Sequence, residues 1–270
     1  MKKFIAVVLT IFTLLSCTCM VSYAKVGDII GTAYHTDIVC YINNCAVPSY
    51  AVNGTSVIVA EDLNNFCFDV VWNGNTRSLN ISSNYSKGIE PMFVGKGYAT
   101  GTKFTNILAT DISVWANGRR ITSYAMNGYT MIPVEELAVF GEVIWDPQQR
   151  ALKLWIDGVE YPEKMQPVSH RYYPGTSVPD YGWITESICF NEESDWEGTK
   201  MNYYISDYAD VQAYIRHIKS VGFVLDLTAY DADGYYEGYI NHSLRQGVLL
   251  QEVDGIVYVQ VEPEIDRWVE

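Results

Sequence analysis

Hydrophobic positions alternate with polar ones over short runs through most of the chain, and each run stops at a turn-forming pair. Ile38 to Ile42 reads as a strand, Asn43-Asn44 as its turn, and Ala46 to Tyr50 as the returning strand. Asn53-Gly54 supplies the next turn, Ser56–Val59 another strand, and Ala60 to Phe66 a short helix with Leu63 and Phe66 on one face. Val70-Val71-Trp72, the Asn73-Gly74 turn and Arg77–Ile81 close the unit.

The same pattern then recurs in register. Thr36-Asp37-Ile38, Asn43, Ser49-Tyr50-Ala51 and Asn53-Gly54 return as Thr110-Asp111-Ile112, Asn117, Ser123-Tyr124-Ala125 and Asn127-Gly128. Glu61, Leu63 and Phe66 return as Glu135, Leu137 and Phe140. After the loss of one residue, Val70, Trp72, Arg77 and Leu79 return as Val143, Trp145, Arg150 and Leu152. Matches this dense in register identify a duplication. The second copy predicts strands at Thr130–Ile132, Val143–Trp145 and Ala151–Ile156 and a helix over Val134 to Phe140. Each unit, at roughly 50 residues, is marginal alone, so the two copies are expected to pack together. Trp72, Trp145 and Trp155 read most simply as core or inter-module packing.

Beyond the duplication, Pro162, Pro167, Pro174 and Pro179 with Gly175 and Gly182 mark residues 162–183 as a connector. Its aromatics, Tyr161, Tyr172, Tyr173, Tyr181 and Trp183, serve to pack it onto a domain or to meet sugars. Residues 184–270 predict a strand over Glu186 to Phe190, an acidic loop over Asn191–Thr199 and a strand at Tyr203–Ile205. A helix over Tyr208 to Ser220 follows, capped by Ser206 or Asp207 and stopped by Gly222, with Val211, Tyr214, Ile215 and Ile218 as its apolar face. A meander over Phe223–Tyr230, Tyr235–Asn241, Gly247–Val253 and Ile256–Val261 completes it. The expected fold class is α+β: two tandem β-rich modules, residues 25–86 and 87–161, each with one short helix, then a small α+β domain with one helix and an antiparallel sheet.

The leader changes the picture of location. Lys2 and Lys3 precede an apolar run from Phe4 to Leu15, and Ser22-Tyr23-Ala24 has small residues at both positions of an export cleavage site. Residues 1–24 therefore read as a secretory signal, and no other stretch reads as a membrane span. Leu14-Leu15-Ser16-Cys17 also resembles a lipobox, which would make Cys17 a lipid anchor. Cys40, Cys45, Cys67 and Cys189 remain, as three alternative pairings or as buried thiols; a two-residue Asn43-Asn44 turn sets Ile42 opposite Cys45 and leaves Cys40 one diagonal away, too far for an easy bridge.

The residues of the duplication resemble a known family. Asn117-Gly118, Asn127-Gly128, Pro133, Glu135, Leu137, Trp145-Asp146, Arg150 and Leu152, with Asn53-Gly54, Glu61, Leu63, Trp72 and Arg77 in the first copy, resemble the stalk-type domain named after the N-terminus of copper amine oxidase. The resemblance spans roughly residues 28–158. The first copy departs from it in having Ala60 for the proline and Cys67 for the glycine after the helix. It implies an accessory stalk on an exported protein of Gram-positive bacteria, and no oxidation chemistry, because the copper ligands of that enzyme belong to another domain.

Composition narrows the partners. With 18 Lys+Arg against 32 Asp+Glu, a net charge of −14 and no basic cluster, the chain would repel nucleic-acid phosphates and anionic lipid headgroups. The 21 Tyr, 9 Phe and 7 Trp are too many for a solvated disordered polymer. His35, His170, His217 and His242 are scattered, and no metal-ligand spacing or cofactor motif is present; Cys189 with His217 or His242 could form a thiolate pair, but nothing in the sequence places them together, and Cys189 reads as a buried or disulfide-bonded thiol. Asp231-Ala232-Asp233-Gly234 lacks the full calcium-loop pattern and reads as a hairpin turn; the acidic stretch through Glu192 and Glu193 reads as a solvated face.

What remains is recognition by rings. Tyr235, Tyr236, Tyr239 and Tyr258 are expected to line one face of the C-terminal sheet, where amphipathic rings meet a cell-wall glycan or an envelope protein. The expected function is a non-catalytic, secreted or cell-surface protein in which stalk modules present a C-terminal binding module. The alternatives are a secreted inhibitor or accessory subunit of an envelope enzyme, and an enzyme of unrecognised type.

Overall fold

The computed structural model describes residues 24–194, 199–231 and 234–265. The leader through Tyr23, including Cys17, lies outside them, as do Ala232-Asp233 of the acidic turn. The first copy forms β1 (Ile29–Tyr34), β2 (Val39–Ile42), β3 (Cys45–Val47), β4 (Ser49–Val52), β5 (Thr55–Val59), β6 (Phe68–Asn73) and β7 (Ser78–Ser83). After β8 (Gly95–Lys96), the second copy repeats that series as β9 (Lys103–Leu108), β10 (Ser113–Ala116), β11 (Arg119–Ile121), β12 (Tyr124–Met126), β13 (Tyr129–Pro133), β14 (Gly141–Asp146) and β15 (Ala151–Ile156). Between the fifth and sixth strands of each copy lies a 3-10 helix, Glu61–Asn65 and Val134–Val139.

The two copies do not sit side by side; they share strands. β1, β4 and β5 of the first copy close with β13, β12 and β9 of the second into one six-stranded barrel. The β2–β3 hairpin leaves its own copy and joins β15 in parallel, Cys40 beside Leu152 and Ile42 beside Leu154. The β10–β11 hairpin makes the reciprocal move onto β7, Val114 beside Leu79 and Ala116 beside Ile81. The result is a pair of four-stranded sheets, β11-β10-β7-β6 and β14-β15-β2-β3, each built from both copies. Their inner faces meet in one core that takes Leu63, Phe66 and Phe68 from the first copy and Leu137, Phe140 and Leu154 from the second. Phe68 and Phe140 touch edge to face across the copies at 4.9 Å.

The turns follow from their residues. Asn43, Asn44, Asn53, Asn117 and Asn127 all take positive φ, where Asn is the side chain best tolerated after Gly. Ile42 pairs with Cys45 across the first turn, as a two-residue loop requires. Arg77 lies in the left-handed region at φ 47°, so the closing strand starts at Ser78 instead of at Arg77. All four cysteines among the described residues are free and buried. Trp72 and Trp145 lie half-exposed on β6 and β14, contrary to the packing role expected of them: they alternate with Val71 and Ile144 on strands whose far ends reach solvent.

The connector is more ordered than its prolines predict. β16 (Ser169–His170) pairs in parallel with β8, and α1 (Tyr181–Thr185) is capped by Asp180, whose side chain accepts from the backbone N–H of Trp183 at 3.1 Å. Glu186 ends α1 in the left-handed region at φ 56°, so the strand expected over Glu186 to Phe190 cannot begin there. It lies instead at β17 (Asn191–Ser194), inside the segment read as an acidic loop.

β18 (Lys200–Ile205), α2 (Tyr208–Ser220), β19 (Val224–Asp231), β20 (Gly234–Asn241), β21 (Gln246–Val253) and β22 (Ile256–Glu262) finish the chain. The sheet has six antiparallel strands in the order β17-β18-β22-β21-β20-β19. The chain is α+β and largely β, with a small closed barrel and several sheets. α2 is capped by Asp207, which accepts from Ala209 N–H at 2.8 Å, and buries Tyr214, Ile215 and Ile218 against one sheet face. Among the described residues no helix is long and apolar enough to cross a membrane.

Candidate functional site

The four tyrosines expected to form one stripe do not share a face. β20 alternates, so Tyr235 and Tyr239 point to the α2 side and Tyr236 to the other. Tyr236 stands beside Gln251, which stands beside Tyr258, and this places Tyr258 on the side away from the helix. Tyr239 is buried in the core with its hydroxyl on Glu237, and Tyr235 donates to the same carboxylate at 3.0 Å. A shallow groove of about 410 Å³ between α2 and the sheet reaches Tyr235 but not the other three tyrosines.

The most structured opening lies elsewhere, where the connector joins the duplicated unit to the C-terminal sheet. It encloses about 540 Å³, the size range of small-ligand sites. One wall is the first copy, with Asp37 and Tyr41. The floor is Lys96 of β8 and His170 of β16, neighbours in a parallel pair, and the far wall holds Cys189, Glu192, Lys200 and Asn202.

Each charged group is positioned by the fold. Lys96 donates to the carbonyls of Thr36 and Ile38 at 2.5 and 3.3 Å, and burial holds its ammonium below the usual lysine pKa. Arg150 forks onto Asp37 and holds that carboxyl below the usual range. Lys200 meets Glu192 at 2.7 Å across β17 and β18. Asp180 caps α1, accepts weakly from His170 N–H at 3.4 Å, and is pushed up to about 6 by burial. Desolvation lowers the His170 pKa, so burial pushes both groups towards their neutral forms.

The one thiol at the opening is not activated as a nucleophile. Burial pushes the Cys189 thiol up to about 12, and the thiol donates to Asn191 O at 2.9 Å. His217 sits at the C-terminal end of α2 and His242 just beyond β20, and neither lines the opening. Among the described residues no group of three or more His, Cys, Asp or Glu could hold a metal ion. Behind the opening, Tyr173 and Tyr204 share a hydroxyl contact at 3.3 Å, Tyr173 accepts from Tyr181 N–H, and Tyr214 donates to Pro179 O. These buried rings lock the connector onto the C-terminal unit, the packing role for Tyr173 and Tyr181.

Sequence reasoning did not single out Lys96, Asp180 or Tyr98, and no motif or spacing in the chain marks them. No family model, curated protein or solved structure matches the chain.

Proposed function

We propose that this is an exported, non-catalytic binding protein of the cell envelope that holds its ligand in the joint between the duplicated unit and the C-terminal sheet. In this reading residues 1–24 are the export leader, with Cys17 as the alternative lipid anchor, residues 25–161 are the stalk pair, and residues 184–270 supply the outer wall of the site. The observation that carries it is the joint itself: Asp37, Lys96, Asp180 and Lys200, each held in place by its own partners, come with His170 from separate segments to one opening. A prepositioned polar pocket of this kind favours binding because its groups lose little freedom when a ligand arrives.

The test is retention of the chain from Lys25 onward on purified cell-wall sacculi, with an envelope extract offered in parallel. Retention that Lys200→Gln weakens by severalfold is the expected result. Retention indifferent to that change would move the site out of the joint, and no retention on either material would end the proposal.

The outer edge of β19 favours a second reading, an inhibitor or accessory subunit. It terminates the sheet and exposes Val224, Leu225 and Leu227, the kind of edge to which a protein partner adds a strand. A single envelope protein bound saturably, and released by Leu225→Pro, would favour it over the joint.

A further inference from the structure

Beside the opening at the joint lies a second hollow of about 300 Å³, with Thr36, Lys96 and Tyr98 lining both. Its walls are rings: His35, Tyr50, Phe93, Tyr98, Phe104 and Trp183. They come from β4, β9 and α1, from the turn after β1 and from the loops on either side of β8, so the hollow exists only where the barrel and the connector meet. His35 stacks on Tyr98 at 4.2 Å and 16°, and Tyr50 stacks on Phe104 at 4.4 Å and 17°. Trp183 stands edge-on to Tyr98 at 6.5 Å and 73°. Tyr98 nevertheless remains 63% exposed and Phe104 36%.

The duplication supplies an internal control for what these rings are for. Thr36 Oγ1 accepts from Ile38 N–H, and Ser49 Oγ donates to Ile38 O. In the second copy Thr110 and Ser123 make the same two bonds to Ile112, at the same distances. The backbone at this end of the barrel is thus built identically in both copies. At the repeat positions, however, His35 is Ala109 and Phe104 is Ile30. The repeat-related end of the barrel keeps a ring at Tyr124, the counterpart of Tyr50, but completes the same structure with none at Ala109 and Ile30, so His35 and Phe104 are surplus to closing the barrel. Tyr98 also meets Trp183; the exposed faces of Tyr98 and Phe104 are left over.

Charge narrows what these faces meet. An ammonium has three donors, and Thr36 and Ile38 carbonyls take two from Lys96, leaving one for a ligand oxygen. A cation seated among the rings would face that ammonium, and a polyanion would approach a chain of net charge −14. A neutral ligand with an apolar flat face and oxygen acceptors at its edge meets neither cost. From this joint, and resting on the binding function proposed for it, we infer that the hollow is a subsite for a neutral saccharide. One sugar ring lies on Tyr98 and Phe104, an edge oxygen accepts from Lys96, and the chain of sugars continues into the polar opening.

Calorimetric titration of the full chain with the tetramer of N-acetylglucosamine and with cellotetraose tests this. Saturable binding of at least one tetramer, weakened at least fivefold by Tyr98→Ala and unchanged by Tyr85→Ala, an exposed ring that lines neither hollow, is the expected result. Tyr98 is exposed, so its variant folds, and Lys96→Met supplies the matching loss at the polar edge. Binding untouched by Tyr98→Ala, or no binding of either neutral tetramer, overturns the inference, as does tetragalacturonate binding as tightly as the neutral chains. Sacculus retention that is lost in Lys200→Gln while neither tetramer binds would leave the joint as a binding site and remove the saccharide alone.

Discussion

Arg150 holds Asp37 from 113 residues further along the chain, its guanidinium at 2.5 and 2.8 Å from the two carboxylate oxygens. Arg77 holds Asp111 in the same way, both contacts at 2.7 Å. The two pairs are copies of one another, yet each runs from one copy to the other. Both arginines adopt positive φ just before a closing strand, and each offers its carbonyl to the strand it receives, Arg150 to Val39 N–H and Arg77 to Ser113 N–H, both at 3.1 Å. The bidentate fork marks the point where each hairpin crosses over.

Because the crossing strands share one core, the duplicated unit is expected to unfold in a single transition. Leu63→Ala and Leu137→Ala, fully buried at repeat-related positions, should each cost about 3 kcal/mol and shift that whole transition equally. Hydrogen exchange across the strands of both copies checks it. Loss of protection confined to the mutated copy would mean that the copies fold separately.

Trp183 fixes the joint by lying over glycines. A Cβ on Gly97 would fall 2.5 Å from two of its ring carbons, so Gly97→Ala forces the indole to move. The expected loss is about 2 kcal/mol. Trp183→Leu should cost less in the Gly97→Ala background than in the native one, because the smaller side chain leaves room for the methyl group. Urea unfolding of the four members of the cycle measures it, and additive effects would show that the two residues do not meet.

Asp180 gives the joint a pH dependence of definite sign. Burial raises its carboxyl to about 6, above its value in the unfolded chain. Between about pH 4 and 6 the folded chain therefore keeps a proton that the unfolded chain has lost. This group's stabilisation is complete below about pH 4 and is lost as the pH rises through 6. Asn at position 180 keeps an oxygen for Trp183 N–H without titrating. Asp180→Asn is thus expected to be about 2 kcal/mol more stable than the native chain at pH 7.5 and equal to it near pH 4. Urea midpoints at the two pH values decide, and a gap of the same size at both would exclude this origin.

The thiols are expected to be silent in the folded state. Burial lifts Cys40 and Cys45 to about 11 and Cys189 to about 12, and Cys67 is raised by the same cause. Iodoacetamide at pH 8 should label none of the four within an hour while the chain is native, and all of them in denaturant. Rapid native labelling of Cys189 would revive a nucleophilic role for it.

The hydrophobic alternation and its turn residues determined by themselves most of the local structure. The duplication, the Asn-rich turns, the pairing of Ile42 with Cys45 and the capped helix Tyr208–Ser220 all follow from interactions within a few residues. The partners of β2 and β10 were decided only in the tertiary structure. A strand's pattern specifies which face it buries, not which edge it joins, and two near-identical copies offer near-identical edges. The tyrosine stripe failed for a local reason, since neighbours such as Tyr235 and Tyr236 must point to opposite faces of a strand. Lys96, Asp180 and the rings around Tyr98 were invisible for a global one. They lie far apart in sequence and have no common spacing, and only the packing of the connector between barrel and sheet brings them to one opening.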